Sequence, residues 1–171
     1  LAVGAYGYST NTGRAYLFYN DGSIPTTAAT ADVIITGETT SNSFGYSLAS
    51  GDFNADGRTD LAVGAYQYST NTGRTYLFYS GSIITENASG ADVIISGEAS
   101  SWFGYSLTPG DFNADGRTDL AVGAYGYSSS TGRVYLFYNG SIITENASGA
   151  DVIITGETTS NLFGTSLTSG D

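Results

Sequence analysis

The chain has 171 residues, with 24 glycines and 14 tyrosines, and it lacks cysteine, methionine and histidine; all five basic residues are arginine. The missing cysteine excludes a disulfide framework and a thiolate metal site. A formal net charge of −11 argues against a nucleic-acid partner, whose phosphates need a basic face. No segment reads as a signal peptide or a membrane span, so membrane insertion is not expected.

The first predicted strand is LAVGAY at Leu1–Tyr6, whose small residues suit an inner position approached closely by another backbone. A TGR turn at Thr12–Arg14 leads into YLFY at Tyr16–Tyr19, and ADVII follows at Ala31–Ile35. Both are β-branched or aromatic runs bounded by Gly, Ser and Asn, as strands are. FGYSLAS at Phe44–Ser50 alternates apolar and polar residues, the pattern of a half-buried strand. It runs into the loop DFNADGRTD at Asp52–Asp60, after which LAVGAY begins again.

The series recurs from Leu61 and from Leu120, a period of about 60 residues, and the loop recurs at Asp111–Asp119. Self-similarity at such a period signals a propeller, solenoid or array, and no sustained helical periodicity is present. Four short antiparallel strands per repeat fit an all-β β-propeller blade; the coils of a β-solenoid are much shorter. The reading is a single array over 1–171. It places strands B to D of blade 1 at 1–37, blade 2 at 44–97, blade 3 at 103–156, and a further strand A at 163–171.

About three blades cannot close a ring, since propellers need roughly four to eight. The ring is therefore expected to be incomplete within one chain. Two completions are open: a longer propeller of which this is a part, or copies associating head-to-tail.

In each loop, oxygen side chains fall at positions 1, 3, 5 and 9. Asp52, Asn54, Asp56 and Asp60, with the Arg58 carbonyl, make one candidate set; Asp111, Asn113, Asp115 and Asp119, with the Arg117 carbonyl, make the other. Calcium takes roughly six to eight hard oxygen ligands, and magnesium prefers to keep its waters, so Ca2+ is the expected ion. Gly57 and Gly116 permit the turn. The opening DxNxDG is shared with EF-hand loops, but position 12 is Val63 or Val122 rather than a bidentate Glu, and the flanks are strands. Asp171 stands where a third loop would begin. A structural role for the ion is expected, because every loop oxygen is used in ligation.

Together these features resemble the FG-GAP repeat family, the blades of integrin α-subunit propellers and of many secreted bacterial and fungal proteins. The resemblance rests on Phe44-Gly45, Phe103-Gly104 and Phe163-Gly164, on Gly4-Ala5, Gly64-Ala65 and Gly123-Ala124, and on the two loops. Tyr6, Tyr66 and Tyr125 depart from it, standing where the family usually has Pro. The resemblance implies a calcium-stiffened scaffold for adhesion or recognition, extracellular or at the cell surface, with calcium in the A–B hairpins. It also leaves two alternatives: a lectin binding glycans between blades, as some fungal relatives do, and a non-catalytic module of a secreted enzyme. A glycan or protein ligand is thus a candidate partner, besides calcium and other blades.

Catalysis is not expected, since without His, Cys or Lys only carboxylates and tyrosines could carry protons. Glu38, Glu98 and Glu157 recur in (T/S)GE and read as blade-packing or turn residues. Arg14, Arg74 and Arg133 are expected to pair with neighbouring carboxylates. Tyr6/Tyr8, Tyr66/Tyr68 and Tyr125/Tyr127 are the candidates for an exposed aromatic surface, with inter-blade packing as the alternative. Asn87, Asn139 and Asn146 lie in N-x-S sequons.

Overall fold

The computed structural model describes residues 1–170; Asp171 lies outside the described residues. The strands in chain order are β1 (Ala2–Ala5), β2 (Arg14–Leu17), β3 (Val33–Thr36), β4 (Ser47–Gly51), β5 (Asp60–Ala65), β6 (Arg74–Phe78), β7 (Glu86–Asn87), β8 (Val93–Ser96), β9 (Ser106–Gly110), β10 (Asp119–Ala124), β11 (Arg133–Phe137), β12 (Glu145–Asn146) and β13 (Val152–Thr155). They form three sheets, ordered β1-β2-β3-β7, β4-β5-β6-β8-β12 and β9-β10-β11-β13. The fold is all-β, built of propeller blades in succession, and no ring closes among the described residues.

Side-chain alternation explains why the blades need one another. Along β5, every residue is buried, because successive side chains face opposite sides of the sheet and both sides are covered. Leu61, Val63 and Ala65 enter a core shared with blade 1, alongside Leu17, Ile35 and Phe44. Ala62 enters a second core shared with blade 3, alongside Leu77, Leu120 and Phe137. β6 divides likewise, Tyr76 and Phe78 facing one core and Leu77 the other. Each large apolar side chain fully buried this way contributes about 1.5–3 kcal/mol.

The FG turns seat each blade on the one before. Phe44 and Phe103 are about 1% and 0% exposed, and each stands edge-on to a tyrosine of its own blade, Tyr76 at 5.4 Å and Tyr135 at 5.4 Å. The next glycine's carbonyl presses on the preceding blade: a Cβ on Gly64 would overlap the oxygen of Gly104. Only glycine permits that approach.

Three features differ from the sequence reading. First, the predicted strand A at 163–171 is not formed over the described residues Phe163–Gly170; Phe163 makes one parallel bridge to Gly132. A strand needs a ladder partner, and among the described residues the segment 166–170 pairs with no strand. Second, the segments carrying Asn87 and Asn146 supply β7 and β12, which pair in parallel with β3 and β8 of the preceding blade. Two residues show no periodicity, so the sequence does not reveal them. Third, the turn between strands B and C contains consecutive left-handed residues: Ser69, Thr70 and Asn71 have φ of 48°, 56° and 66°. The Asn71 carbonyl accepts from the Trp102 N–H at 2.8 Å, tying the turn to the next blade. Among the described residues no helix is long and apolar enough to cross a membrane.

Gly64→Ala is expected to destabilise the protein by about 3 kcal/mol, the upper end of overpacking costs. The readout is a lower urea midpoint at unchanged slope. A wild-type midpoint would mean that the blades separate easily enough to admit a methyl group.

Candidate metal centre

Each nine-residue loop joins strand A to strand B of its blade, between β4 and β5 or between β9 and β10. Asx chemistry folds it: Asp and Asn side chains capture backbone N–H groups a few residues on. Asp52 accepts from the Asp56 N–H at 3.0 Å and the Gly57 N–H at 2.9 Å, and Asp56 accepts from the Arg58 N–H at 2.8 Å. The second loop repeats these bonds, with Asp111 accepting from Asp115 and Gly116 at 3.0 and 2.8 Å and Asp115 from Arg117 at 2.9 Å. Asn54 and Asn113 each accept from the same Asp N–H at 3.0 Å. Gly57 sits at φ +82° with nothing near its Cβ position, so its conformation and not its size is what the turn requires.

The aspartates at position 9 are placed differently from those at 1 and 5. Asp60 and Asp119 are 1% and 0% exposed. Asp60 accepts from Phe53 N–H at 2.9 Å and Ser80 N–H at 2.8 Å, and Asp119 from Phe112 and Asn139 N–H, both at 2.8 Å. Burial raises the Asp60 carboxyl above its ordinary value, opposed by its two backbone donors and reinforced by Asp56 and Asp52. These residues latch the loop to the end of strand C.

Among the described residues, no three Asp or Glu side chains are gathered into a metal-holding group. The donor set nonetheless fits a hard cation. Every candidate side chain in the loop carries an acceptor oxygen, and each engaged oxygen keeps a second lone pair. The nearest cations do not neutralise the cluster: Arg58 reaches toward Gly81 and Arg117 toward Gly140, and neither belongs to an ion pair among the described residues. Asn139 links the two loops, a contact absent from the sequence reading. Its Nδ2 donates to the carbonyls of Asp52 at 2.8 Å and Thr118 at 3.1 Å. Only 7% exposed, this sequon asparagine is committed to the interior, while Asn87 and Asn146 lie on the surface.

At the blade boundaries the expected arginine pairing forms twice. Glu38 Oε1 accepts from Arg74 Nη1 at 2.8 Å and Tyr76 OH at 2.8 Å, and Glu98 Oε1 accepts from Arg133 Nη1 at 2.8 Å and Tyr135 OH at 2.6 Å. Each guanidinium lies over a tyrosine ring, Arg74 on Tyr68 at 3.8 Å and Arg133 on Tyr127 at 3.6 Å. Desolvation, then the adjacent Glu, pushes both phenols far above the ordinary tyrosine range.

Several of the remaining tyrosines pack against one another across blades. Tyr6, Tyr46, Tyr105, Tyr125 and Trp102 form a continuous ladder with centroids 4.4–5.2 Å apart. Tyr66 flanks it, and Tyr46 OH donates to Tyr105 OH at 2.7 Å. Burial pushes the Tyr125 phenol up to about 12. Of the six candidates for an exposed aromatic surface, Tyr6 and Tyr8 are exposed and the other four are half-buried.

Comparison with known proteins gives a consistent picture. The family model described as "FG-GAP repeat" matches residues 44–78 and 103–137, each running from the Phe-Gly turn through the loop to the end of strand C. Integrin alpha-6 of Gallus gallus is 35% identical over 136 residues, 77% of this chain and 12% of the integrin. Phosphatidylinositol-glycan-specific phospholipase D of Rattus norvegicus is 39% identical over 110 residues, 57% of this chain and 12% of that protein. The chain thus spans about an eighth of the length of these relatives.

Removing a boundary carboxylate leaves a half-buried guanidinium and a phenol without their acceptor. Glu98→Ala is expected to cost about 1–3 kcal/mol, read as a lower denaturation midpoint, with Tyr135→Phe costing less. A midpoint equal to wild type would show the bridge to be screened by solvent.

Proposed function

This chain belongs to the FG-GAP repeat family, and from that premise we propose that it is a calcium-stiffened propeller scaffold for extracellular adhesion or recognition. The observation that carries the reading is the twice-repeated loop, whose Asp and Asn side chains each carry an acceptor oxygen and whose aspartates pair with no arginine among the described residues. Asp52, Asn54, Asp56 and Asp60 side chains with the Arg58 carbonyl would hold one ion. Asp111, Asn113, Asp115 and Asp119 with the Arg117 carbonyl would hold the other, water completing each shell. The ion would supply positive charge at the centre of each hairpin. The role assigned to Asp171 in a third site lies outside the described residues.

The chain's own residues carry the mechanical part. Asp60 and Asp119 join their loop to strand C, and Asn139 joins one loop to the next. A cation that orders a loop therefore also stiffens the end of the blade and its boundary. Adhesion and extracellular placement are taken from the integrin relatives, and a non-catalytic module beside an enzyme domain from the phospholipase relatives.

One observation favours the lectin reading as a second. A polar cleft of about 590 Å³ lies between blades 1 and 2, lined by Thr39–Asn42 and Gln67–Asn71. Its hydroxyls and amides suit a neutral polyol. A glycan array probed in calcium tests this, and an array with no bound sugar sinks it.

Calcium at about 100 times its dissociation constant should stabilise the fold by about 2.7 kcal/mol per site. Melting is therefore expected several degrees higher in calcium than in EDTA. The double variant Asp56→Ala, Asp115→Ala should lose most of that difference. Identical melting curves in calcium and EDTA would refute structural calcium.

A further inference from the structure

Asn139, just past the end of β11, is hydrogen-bonded to both acidic loops at once. Its backbone N–H donates to Asp119 Oδ1 at 2.8 Å, holding position 9 of its own loop. Its Nδ2 donates to the Thr118 carbonyl of that loop at 3.1 Å, and to the Asp52 carbonyl, in the loop of blade 2, at 2.8 Å. One residue thus grips a candidate ligand residue of each loop, since Asp52 opens the first and Asp119 closes the second. Asn139 is buried, so water competes poorly for these bonds, and losing an acceptor would strand a buried donor.

Two further contacts join the same segments. A Cβ on Gly51, the residue before Asp52, would clash with the methyl group of Thr118, the residue before Asp119. Phe53, the residue after Asp52, is fully buried in the same cluster as Leu120, the residue after Asp119. A displacement of the Asp52 backbone would therefore press on Thr118 and pull on Asn139.

The equivalent residue of blade 2 lacks this reach. Ser80 gives the same backbone bond to Asp60 at 2.8 Å, but a serine has no amide with two donors. The turns of each loop also close on their own Asp and Asn side chains. The side-chain amide of Asn139 is thus an addition to the loops, directed from one to the other.

Given calcium as the ion of these loops, as proposed above, we infer that Asn139 couples them, so that an ion held by either loop raises the affinity of the other. Shared ordering is the physical basis. An ion in the first loop fixes Asp52, and with it the carbonyl that Asn139 grips. Asn139 then already holds Thr118 and Asp119 in place, and the second loop has less freedom left to lose when it binds. Linkage makes the effect reciprocal. An electrostatic term opposes it, because each ion removes negative charge that attracts the other. Salt weakens that term between exposed loops, the Debye length being about 8 Å at 0.15 M, while buried hydrogen bonds are screened much less. The expected coupling is about fivefold in affinity, the worth of roughly one net hydrogen bond.

Calcium titration of the full chain at about 0.15 M salt tests this, followed through the amide NMR signals of Gly57 and Gly116. Each of these N–H groups is bonded to the first aspartate of its own loop, so each signal reads one site. The loops are identical from Asp52 to Asp60 and from Asp111 to Asp119, so their intrinsic affinities should be nearly equal. A fivefold coupling then shifts each midpoint by about its square root, roughly twofold.

Asp56→Ala, at an exposed position, disables the first loop and should raise the Gly116 midpoint by that factor; Asp115→Ala should do the same to Gly57. The wild-type curves should have a Hill coefficient above 1. Asn139→Ser, which installs the residue of blade 2, should bind at both loops with a Hill coefficient of 1 and a Gly116 midpoint indifferent to Asp56→Ala. A Gly116 midpoint that Asp56→Ala leaves unchanged in the otherwise wild-type chain would overturn the coupling with calcium binding intact, whether or not Asn139→Ser folds. Coupling that persists in Asn139→Ser would overturn the role given to Asn139. If neither glycine signal moves with calcium, structural calcium itself falls, and the coupling with it.

Discussion

No blade in this chain owns a hydrophobic core. The inner strands bury both faces, and the strict alternation of β geometry sends neighbouring side chains into two different cores. Leu61 and Ala62 are adjacent in sequence, yet one stabilises the boundary with blade 1 and the other the boundary with blade 3. Stability therefore comes from stacking, as in other repeat proteins whose units cannot bury their apolar faces alone. A face without a neighbour shows the deficit directly: in β13, Ile154 is 43% exposed, while its counterpart Ile95 on β8 is fully buried.

Once stacking is required, the polar and glycine residues follow from it. Glycine in strand B lets the next FG turn press backbone on backbone. The carboxylates of Glu38 and Glu98 cross the boundary to an arginine and a tyrosine, so the groups that the close approach would strand are hydrogen-bonded to one another. One size difference between the two boundaries is compensated. Ser43 faces Gln67, to which it is hydrogen-bonded, whereas Trp102 faces Gly126; a large residue always meets a small one.

The loops sit where strands A and B leave the stack, and their chemistry is local. Asp52 and Asp56 close their turns on N–H groups within five residues, so sequence spacing alone forecast that part. The roles of Asp60 and Asp119 were less legible. Spacing assigned them to the ion, while the fold engages both carboxylate oxygens with N–H groups of the loop and of strand C. The second of these partners, Ser80 or Asn139, is 20 residues distant. Asn139 read as a sequon and proved to be an interior link between loops. A motif match carries no information about burial, and burial decides that residue's role.

Repeat length, the four principal strands of blades 2 and 3, the Gly and Phe-Gly positions and the local turns of the loops were all legible in the sequence, because each depends on neighbours close along the chain or on identity between copies. Which copy is satisfied was decided only by tertiary structure. Glu38, Glu98 and Glu157 occur in nearly the same local sequence, and so do Arg14, Arg74 and Arg133. Two of these pairs meet at 2.8 Å, and the remaining Glu and Arg face outward on opposite ends of the stack. A salt bridge is a relation between two surfaces, and equal residues become unequal when only some of those surfaces have a blade against them.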